Sequence, residues 1–388
     1  MKFLRAKRVP KRAKRASREL VSERPSPQTQ TAVAESPKTE VNLKLSCPFC
    51  GNPLASRNGE SKGAAIAGCP SCLNLCLVST PEHPGEAVAL NDWPDLREYE
   101  EAGSVLGAVL GELHSAIDRL PVLPEVAQRI MTLIHDPLSD MDLLAKEIQR
   151  DPTMSLRLLR ITNSPWYGGR SDITDLSMAC ARVGMKGIAS VVWSVQSSGL
   201  FRTSHRDFSR GMQMLWQHSV VAAYCAQQLA DIVPALNRDE AFLAVLQHEI
   251  GSAVLMSIIS SSEDERIASI RGSKERWSEA VNRLRGIACI HALEKWKLPR
   301  LLGTAIYSSD APEHCPVQAA RTLAHGVALS KSLASSLGHP PNEEGTWEAP
   351  TDHFSCDALG VSEEDIQGIM DNSEEHLSDL ISATSLRN

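Results

Sequence analysis

The sequences LPVLPEVAQRIMTLIHDP at 120–137 and DPTMSLRLLRITNSP at 151–165 set the fold class. In both, apolar residues recur at the three- and four-residue spacing of an amphipathic helix. Each also carries proline at the points where a helix begins or ends. The surrounding region, 120–201, therefore predicts a series of short helices, each burying one face, as in an all-α bundle.

The ends of the second helix are marked by Asp151, Pro152, Asn163, Ser164 and Pro165. An aspartate N-cap with proline at the first helical position starts a helix. Asn-Ser-Pro ends one, because asparagine tolerates the left-handed C-terminal position and proline cannot continue the helix. These five residues are explained as helix caps, and the surface around them is also a candidate for a partner contact.

Taken in order, these motifs resemble the HDOD (HD-related output) domain, and the resemblance covers about residues 105–310. It implies a helical relative of the HD phosphohydrolases that is regarded as non-catalytic and acts in signal transduction. The predicted fold class is mainly α: an HD-like helical bundle (HDOD), preceded by a small zinc-ribbon-like module and a disordered basic N-terminal arm. Residues 79–104 are predicted to be a linker and helix start, and residues 311–388 to be C-terminal helices packing on the bundle.

The composition of the 388 residues is that of an ordinary globular protein, with 42% hydrophobic and 22% charged residues. This length suggests two or three domains. No apolar run approaches the roughly 20 residues of a membrane helix, so no membrane span is predicted. The basic N-terminus lacks the apolar core of a secretory signal. Clustered cysteines favour metal binding in a reducing compartment, and we expect a cytoplasmic protein.

The net charge of −7 conceals an asymmetry, because residues 1–18 contain nine lysines or arginines and no acid. The rest of the chain carries 31 positive and 47 negative residues, a net charge of −16, and is a poor general nucleic-acid binder. Residues 1–42 are predicted to be disordered. Their basic part either anchors the chain to nucleic acid or to an acidic membrane surface, or is a solvated tail.

Two CxxC pairs, CPFC at 47–50 and CPSC at 69–72, are separated by eighteen residues. This spacing predicts a structural zinc site with four thiolate ligands: Cys47, Cys50, Cys69 and Cys72. The segment 43–78 resembles a zinc ribbon, and its folding should be coupled to zinc binding. Cys76 is a substitute ligand. The alternatives are a redox CxxC motif or a disulfide.

HD phosphohydrolases bind a divalent metal with a histidine, an adjacent His-Asp pair and a distant aspartate. By resemblance, His218 matches the first position, His248-Glu249 replaces the His-Asp pair, and His325 lies roughly at the last aspartate. The pattern H…HE…H is a degenerate remnant of this site. Glutamate and histidine are both metal ligands, but the substitutions change the geometry and charge. The alternative is that the histidines are core residues with hydrogen-bond partners and that Glu249 is a buried carboxylate paired with one of them.

Further ligands of the HD-GYP branch are also absent. Arg285 and Ser308-Ser309 lie where that branch has histidines. A cationic arginine near a metal site would repel the ion. We therefore expect the chain not to be an enzyme.

These features predict a bacterial-type, cytoplasmic regulatory protein that transduces signals by binding a protein partner through its HDOD domain. One alternative is a metal-dependent HD-type phosphohydrolase acting on nucleotides. A second alternative is a nucleic-acid-binding regulator that uses the basic arm and the zinc ribbon. The sequence does not indicate an oligomeric state, a signal or a pathway.

Overall fold

The computed structural model describes residues 45–54, 65–78, 87–89, 96, 103–121, 124–136, 138–164, 167, 172–343 and 349–384. The predicted arm at 1–42 and the motif residue Pro165 lie outside the described residues. The described residues form one compact unit. The described part of this unit is mainly helical with one small sheet, and the prediction of a mainly α protein is confirmed.

Three short antiparallel strands form the sheet, in the order β1 (Ala65–Gly68), β2 (Leu75–Val78) and β3 (Ala87–Ala89). The hairpin pairs Ile66 with Leu77. An isolated bridge between Ser46 and Pro53 closes the loop that carries the first CxxC pair.

Fourteen α-helices follow in the described residues. They are α1 (Val105–Arg119), α2 (Glu125–His135), α3 (Met141–Ile148), α4 (Pro152–Thr162), α5 (Leu176–Ser198), α6 (Arg206–Ile232), α7 (Arg238–Gln247), α8 (Ile250–Ser261), α9 (Glu265–Arg271), α10 (Lys274–Lys295), α11 (Arg300–Tyr307), α12 (Gln318–Ser336), α13 (Ser355–Leu359) and α14 (Glu363–Thr384).

The predicted start of α4 is confirmed in detail. The Asp151 carboxylate accepts hydrogen bonds from the backbone amides of Thr153 and Met154, and Pro152 occupies the first turn. The predicted end is correct in place but wrong in mechanism. Asn163 has right-handed backbone angles (φ −89°, ψ −4°). Its side-chain amide instead pairs with both the N–H and the C=O of Ile173, each at 2.8 Å, so it connects α4 to the segment before α5.

The helices bury their apolar faces in two clusters. Helices α2 to α5 form a smaller core around Ile130, Leu144 and Leu158. Helix α1 and the helices from α6 onward form the main core, and α14 packs along α6. One stretch of the described residues, Arg238–Ser261, is long and apolar enough to cross a membrane, but 89% of its apolar window is buried. It comprises α7 and α8, at the centre of the main core.

The sheet packs directly on α10 and α11. The β1 amide of Ile66 donates to the hydroxyl of Thr304 at 2.9 Å, and the His291 ring donates from Nε2 to the carbonyl of Leu73 at 3.0 Å. A Cβ on Gly68 would lie 2.5 Å from the His291 ring, so only glycine permits this contact. The sheet and the helices therefore share one interface held by specific polar and steric contacts.

Candidate functional site

The structure brings together the four cysteines predicted to bind metal. Their sulfur atoms all lie within 4.8 Å of one another. The Cys47–Cys72 and Cys50–Cys69 sulfurs are separated by 3.7 and 3.6 Å. Zinc–sulfur bonds of about 2.3 Å in a tetrahedron place sulfurs about 3.8 Å apart. The spacing therefore fits a tetrahedral ion held by four thiolates.

Two N–H groups point at these sulfurs and orient them. The backbone amide of Phe49 donates to Cys47, and the side-chain amide of Asn74 donates to Cys72, each at 3.4 Å. Such donors stabilise the negative charge of a metal-bound thiolate. The cluster thus has both the ligands and the outer hydrogen bonds of a structural metal site.

Cys76 is not part of this cluster, and its prediction as a substitute ligand is wrong. It lies in β2 with a fully buried side chain, and its thiol donates to the carbonyl of Ala67 at 3.5 Å. All ten cysteines are free thiols. The remaining five are buried, as expected of core residues: Cys180, Cys225, Cys289, Cys315 and Cys356.

A second cluster lies in the main core and contains His218, His248 and Glu249. Helix α6 supplies His218, and the tight junction between α7 and α8 supplies the other two. One ligand atom from each lies within 4.8 Å of the others. The three residues are only 1%, 5% and 5% exposed. They form a buried group of convergent polar atoms.

Main-chain carbonyls fix the tautomers of both histidines. His218 donates from Nδ1 to the carbonyl of His339 at 2.7 Å, and His248 donates from Nδ1 to that of Val245 at 2.5 Å. Their Nε2 atoms have no hydrogen-bond partner among the described residues, although His248 Nε2 lies 3.5 Å from Glu249 Oε1. The prediction that both are core histidines with hydrogen-bond partners therefore holds for only one nitrogen of each ring.

Burial keeps both histidines neutral. It lowers the pKa of His218 to about 3 and that of His248 to about 4. For Glu249, burial acts to raise the pKa, but the neighbouring His248 ring, the charge of Arg285 and the hydroxyl of Ser252, which donates at 2.6 Å, outweigh it and lower the pKa. The cluster at neutral pH thus contains two neutral rings and one carboxylate.

Two cations lie beside this cluster. Arg285 of α10 and Lys331 of α12 both form ion pairs with Asp310, the lysine at 2.7 Å. Attraction to Glu249 and Asp310 outweighs burial and raises the pKa of Arg285. The Lys331 ammonium also bonds to the hydroxyl of Ser309 at 3.4 Å. The predicted arginine near the degenerate site is present, together with a lysine that the sequence analysis missed.

His325 is not brought to the cluster, and its prediction as the replacement for the last aspartate is wrong. Its Nδ1 is 3.0 Å from the hydroxyl of Ser355, and its ring contacts Phe354. The residue of α12 that acts on the cluster is Lys331, six positions later, whose charge lowers the pKa of His218 and His248. Among the described residues, three possible metal ligands therefore meet at this point, not four.

A cavity of about 700 Å³ opens next to Glu249. Parts of α6, α8, α9, α10 and α12, with residues 341–343, form its wall. Glu249, Arg285, Asp310 and Lys331 are among the residues that line it. The cluster is therefore within reach of a small molecule bound in the cavity.

Residues 120–312 match the HDOD domain family. Two crystal structures share the fold. One is a "Putative metal-dependent phosphohydrolase" from Shewanella amazonensis SB2B, 22% identical, with a TM-score of 0.58, covering 74% of this chain and 100% of that one. The other is an HDOD domain protein of unknown function from Geobacter sulfurreducens, 19% identical, with a TM-score of 0.57, covering 74% and 98%. The predicted HD-like bundle is confirmed by this likeness.

A curated relative, an uncharacterized protein from Treponema pallidum (strain Nichols), is 27% identical over 143 residues. The match covers 36% of this chain and about a quarter (27%) of that protein's length. It supports a shared segment and says nothing about activity.

Proposed function

Because this chain belongs to the HDOD family, we propose that it is a non-catalytic signal-transduction protein that acts by binding. In this proposal the helical domain contacts a regulatory protein partner in the bacterial cytoplasm. The four-cysteine cluster holds a structural zinc ion, since four thiolates leave no open coordination position for chemistry. The zinc stabilises the sheet and, through the sheet, the face of α10 and α11 on which it packs.

One observation carries the non-catalytic assignment: two cations occupy the neighbourhood where a catalytic ion's charge would act. Arg285 and Lys331 share the single carboxylate of Asp310, next to Glu249. Their charge already balances that of the nearby carboxylates, so a divalent cation would meet little net attraction there. The set of three possible ligands also lacks the second carboxylate that an HD-type centre uses.

Metal content and phosphate release from the full-length protein test this proposal. We expect one zinc ion per chain, lost in Cys69→Ser and retained in His248→Gln. We also expect no phosphate release from nucleotides with Mn²⁺, Fe²⁺ or Mg²⁺ added. A second bound ion that disappears in His248→Gln, together with phosphate release that the same substitution abolishes, would contradict the proposal.

The second candidate function is a metal-dependent phosphohydrolase, and one specific observation favours it. The Nε2 atoms of His218 and His248 carry lone pairs without a hydrogen-bond partner among the described residues, beside the Glu249 carboxylate. Metal-binding histidines commonly donate their other nitrogen to a main-chain carbonyl, as both do here. In this alternative the two rings and Glu249 would hold the ion, and the ion would polarise phosphate. The experiment above separates the two candidates.

Binding of nucleic acid by the basic arm stays a prediction, because the arm lies outside the described residues. Its test is the salt dependence of binding before and after removal of residues 1–42, since contacts to phosphate weaken steeply with salt.

A further inference from the structure

We infer that two arginines of α4, Arg157 and Arg160, form a binding site for a phosphate group, carried by a small molecule or by a lipid. The inference does not depend on the proposed function, because neither arginine lines the cavity beside the histidine–glutamate cluster. It is carried by the fixed position of α4, by the surroundings of the two arginines and by the charge of the neighbouring chain.

Helix α4 is held in place at both ends and along one face. The carboxylate of Asp151 caps its start, and the side-chain amide of Asn163 ties its end to Ile173. Three apolar residues of the helix are buried in the smaller core: Met154, Leu158 and Ile161. The helix therefore presents its remaining side chains from a rigid base.

Arg157 and Arg160 are neighbours on this helix, because residues three positions apart have Cβ atoms about 5–6 Å from each other. Arg157 is half-buried and Arg160 is exposed. Neither forms an ion pair or a side-chain hydrogen bond with another described residue. The two guanidinium groups are therefore available to a ligand.

The charges that act on Arg157 are all positive. Burial, followed by the positive charges of Arg202 and Arg160, lowers its pKa. A half-buried cation is normally paired with an acid, and repulsion from like charges makes this position less favourable still. An anion bound here would supply the missing opposite charge.

Arg202 adds its charge from a fixed place. It directly follows Phe201, whose buried ring contacts Trp216 in the main core, with ring centroids 5.3 Å apart. The backbone at Arg202 is thereby anchored, while the residue itself is exposed. Arg202 therefore strengthens the attraction for an anion near Arg157.

The neighbouring chain lacks acidic residues. Residues 152–162 and 176–206 contain no aspartate or glutamate, and they contain six cations: Arg157, Arg160, Arg182, Lys186, Arg202 and Arg206. Residues 19–388 as a whole have a net charge of −16. An anion is therefore repelled by most of the protein and attracted to this part of it.

A phosphate group suits this pair of arginines better than a carboxylate does. It carries more charge and more acceptor oxygens, so it can accept hydrogen bonds from both guanidinium groups at once. Leu156, one turn before Arg160, is 51% exposed and offers an apolar contact to the carbon part of a phosphate ester. The arrangement therefore favours a phosphate monoester or the headgroup of an acidic lipid.

Thermal unfolding of the full-length protein tests the inference with soluble probes. The probes are inorganic phosphate and glycerol 3-phosphate, with potassium chloride at equal ionic strength for comparison. We expect at least one phosphate probe to raise the melting temperature, by about 3 °C at ten times its Kd. Sedimentation with phosphatidylcholine vesicles, with and without phosphatidic acid, tests the lipid source of the same group.

Three variants assign the response to α4. Arg157→Met and Arg160→Gln should each weaken phosphate binding about ten-fold or more, as expected for loss of a charge-assisted contact. Neither should lower the melting temperature in chloride, because each removes a charge that its neighbours repel. Arg276→Gln removes an exposed arginine of α10 and should keep the full response. General stabilisation by phosphate salts and binding by the basic residues 1–18 are the same in all variants.

The source of the phosphate follows from the two assays. A response to glycerol 3-phosphate without vesicle binding identifies a small molecule, whereas binding that requires phosphatidic acid and Arg160 identifies a lipid. The inference is overturned if Arg160→Gln matches the unaltered chain in both assays, or if Arg276→Gln loses the response equally. Because Arg160 is exposed, its variant decides the question even if Arg157→Met fails to fold.

Discussion

A glycine-to-alanine substitution at position 251 is the sharpest test of the helix packing that builds the site. Gly251 is in the first turn of α8, two residues after Glu249. A Cβ placed there would lie 2.0 Å from the carbonyl oxygen of Arg285 and 2.8 Å from the backbone nitrogen of Cys289. Both atoms belong to the backbone of α10, so no side chain can rotate out of the way.

The size of the effect follows from that distance. Real Cβ atoms essentially never approach another atom within 3.0 Å, so α8 and α10 would have to separate by about 1 Å. Overpacking in a core costs about 1–3 kcal/mol and sometimes more. A clash between two backbones lies at the upper end, and we expect Gly251→Ala to lose about 3 kcal/mol or more. At about 2 °C per kcal/mol for a chain of this size, the melting temperature should fall by about 6 °C.

Thermal unfolding followed by circular dichroism, with urea unfolding as a second measure, provides the assay. Gly111→Ala is the matched control, because Gly111 is an exposed residue of α1 and a Cβ there meets nothing within 4 Å. It should raise stability by up to about 1 kcal/mol through helix propensity. If Gly251→Ala behaves like Gly111→Ala, the close contact of α8 with α10 is wrong, and with it the placement of Glu249 beside Arg285.

Three other substitutions or conditions give distinct readouts. Asp151→Ala removes the cap of α4 and should cost about 1 kcal/mol in urea unfolding, and unchanged stability would contradict the capping geometry. The pKa values of His218 and His248 are about 3 and 4 in the folded protein, against 6.5 for an ordinary histidine. The free energy of unfolding should therefore be highest above pH 6.5 and fall as the pH is lowered toward 4. The loss is up to about 1.4 kcal/mol per pH unit for each ring, and a flat profile there refutes neutral burial. His291→Ala leaves the Leu73 carbonyl without this donor, so a chelator should extract the metal faster from this variant than from the unaltered chain. An equal extraction rate would contradict the idea that His291 stabilises the sheet.

Local features of the fold could be predicted from the sequence because their causes lie within a few residues. The start of α4 needs only Asp151 and Pro152, and both behave as predicted. The end of α4 was predicted in place but not in mechanism. Asn163 is held by Ile173, ten residues away, in a loop whose path the local sequence does not determine.

Spacing predicted the cysteine cluster because two CxxC loops bring their thiols together independently of the surrounding fold. Spacing alone could not exclude Cys76, whose side chain is directed into the sheet's core by its place in β2. The assignment of His325 was wrong for a related reason. Which turn of α12 faces His248 depends on the register of the helix against its neighbours. In this structure Lys331, six residues after His325, lies there instead.

The roles of Asp310 and Lys331 were not predicted, although both residues are ordinary surface types in the sequence. Their pairing joins a short turn after α11 to the middle of α12, and only the packed bundle brings them together. Arg285 was the one indication in the sequence, because a cation buried near a carboxylate needs acidic residues to balance its charge. That reasoning indicates an acidic partner but not its position in the chain.

The contact between the sheet and α10 and α11 has a practical consequence for work with shortened versions of this protein. Ile66, Leu73 and Leu75 are part of the same continuous apolar core as the helices. A fragment that begins at Val105 would leave that surface uncovered in water, along with the polar groups of His291 and Thr304. Such a fragment should aggregate or melt early, so expression trials aimed at the helices alone need to begin before Leu45.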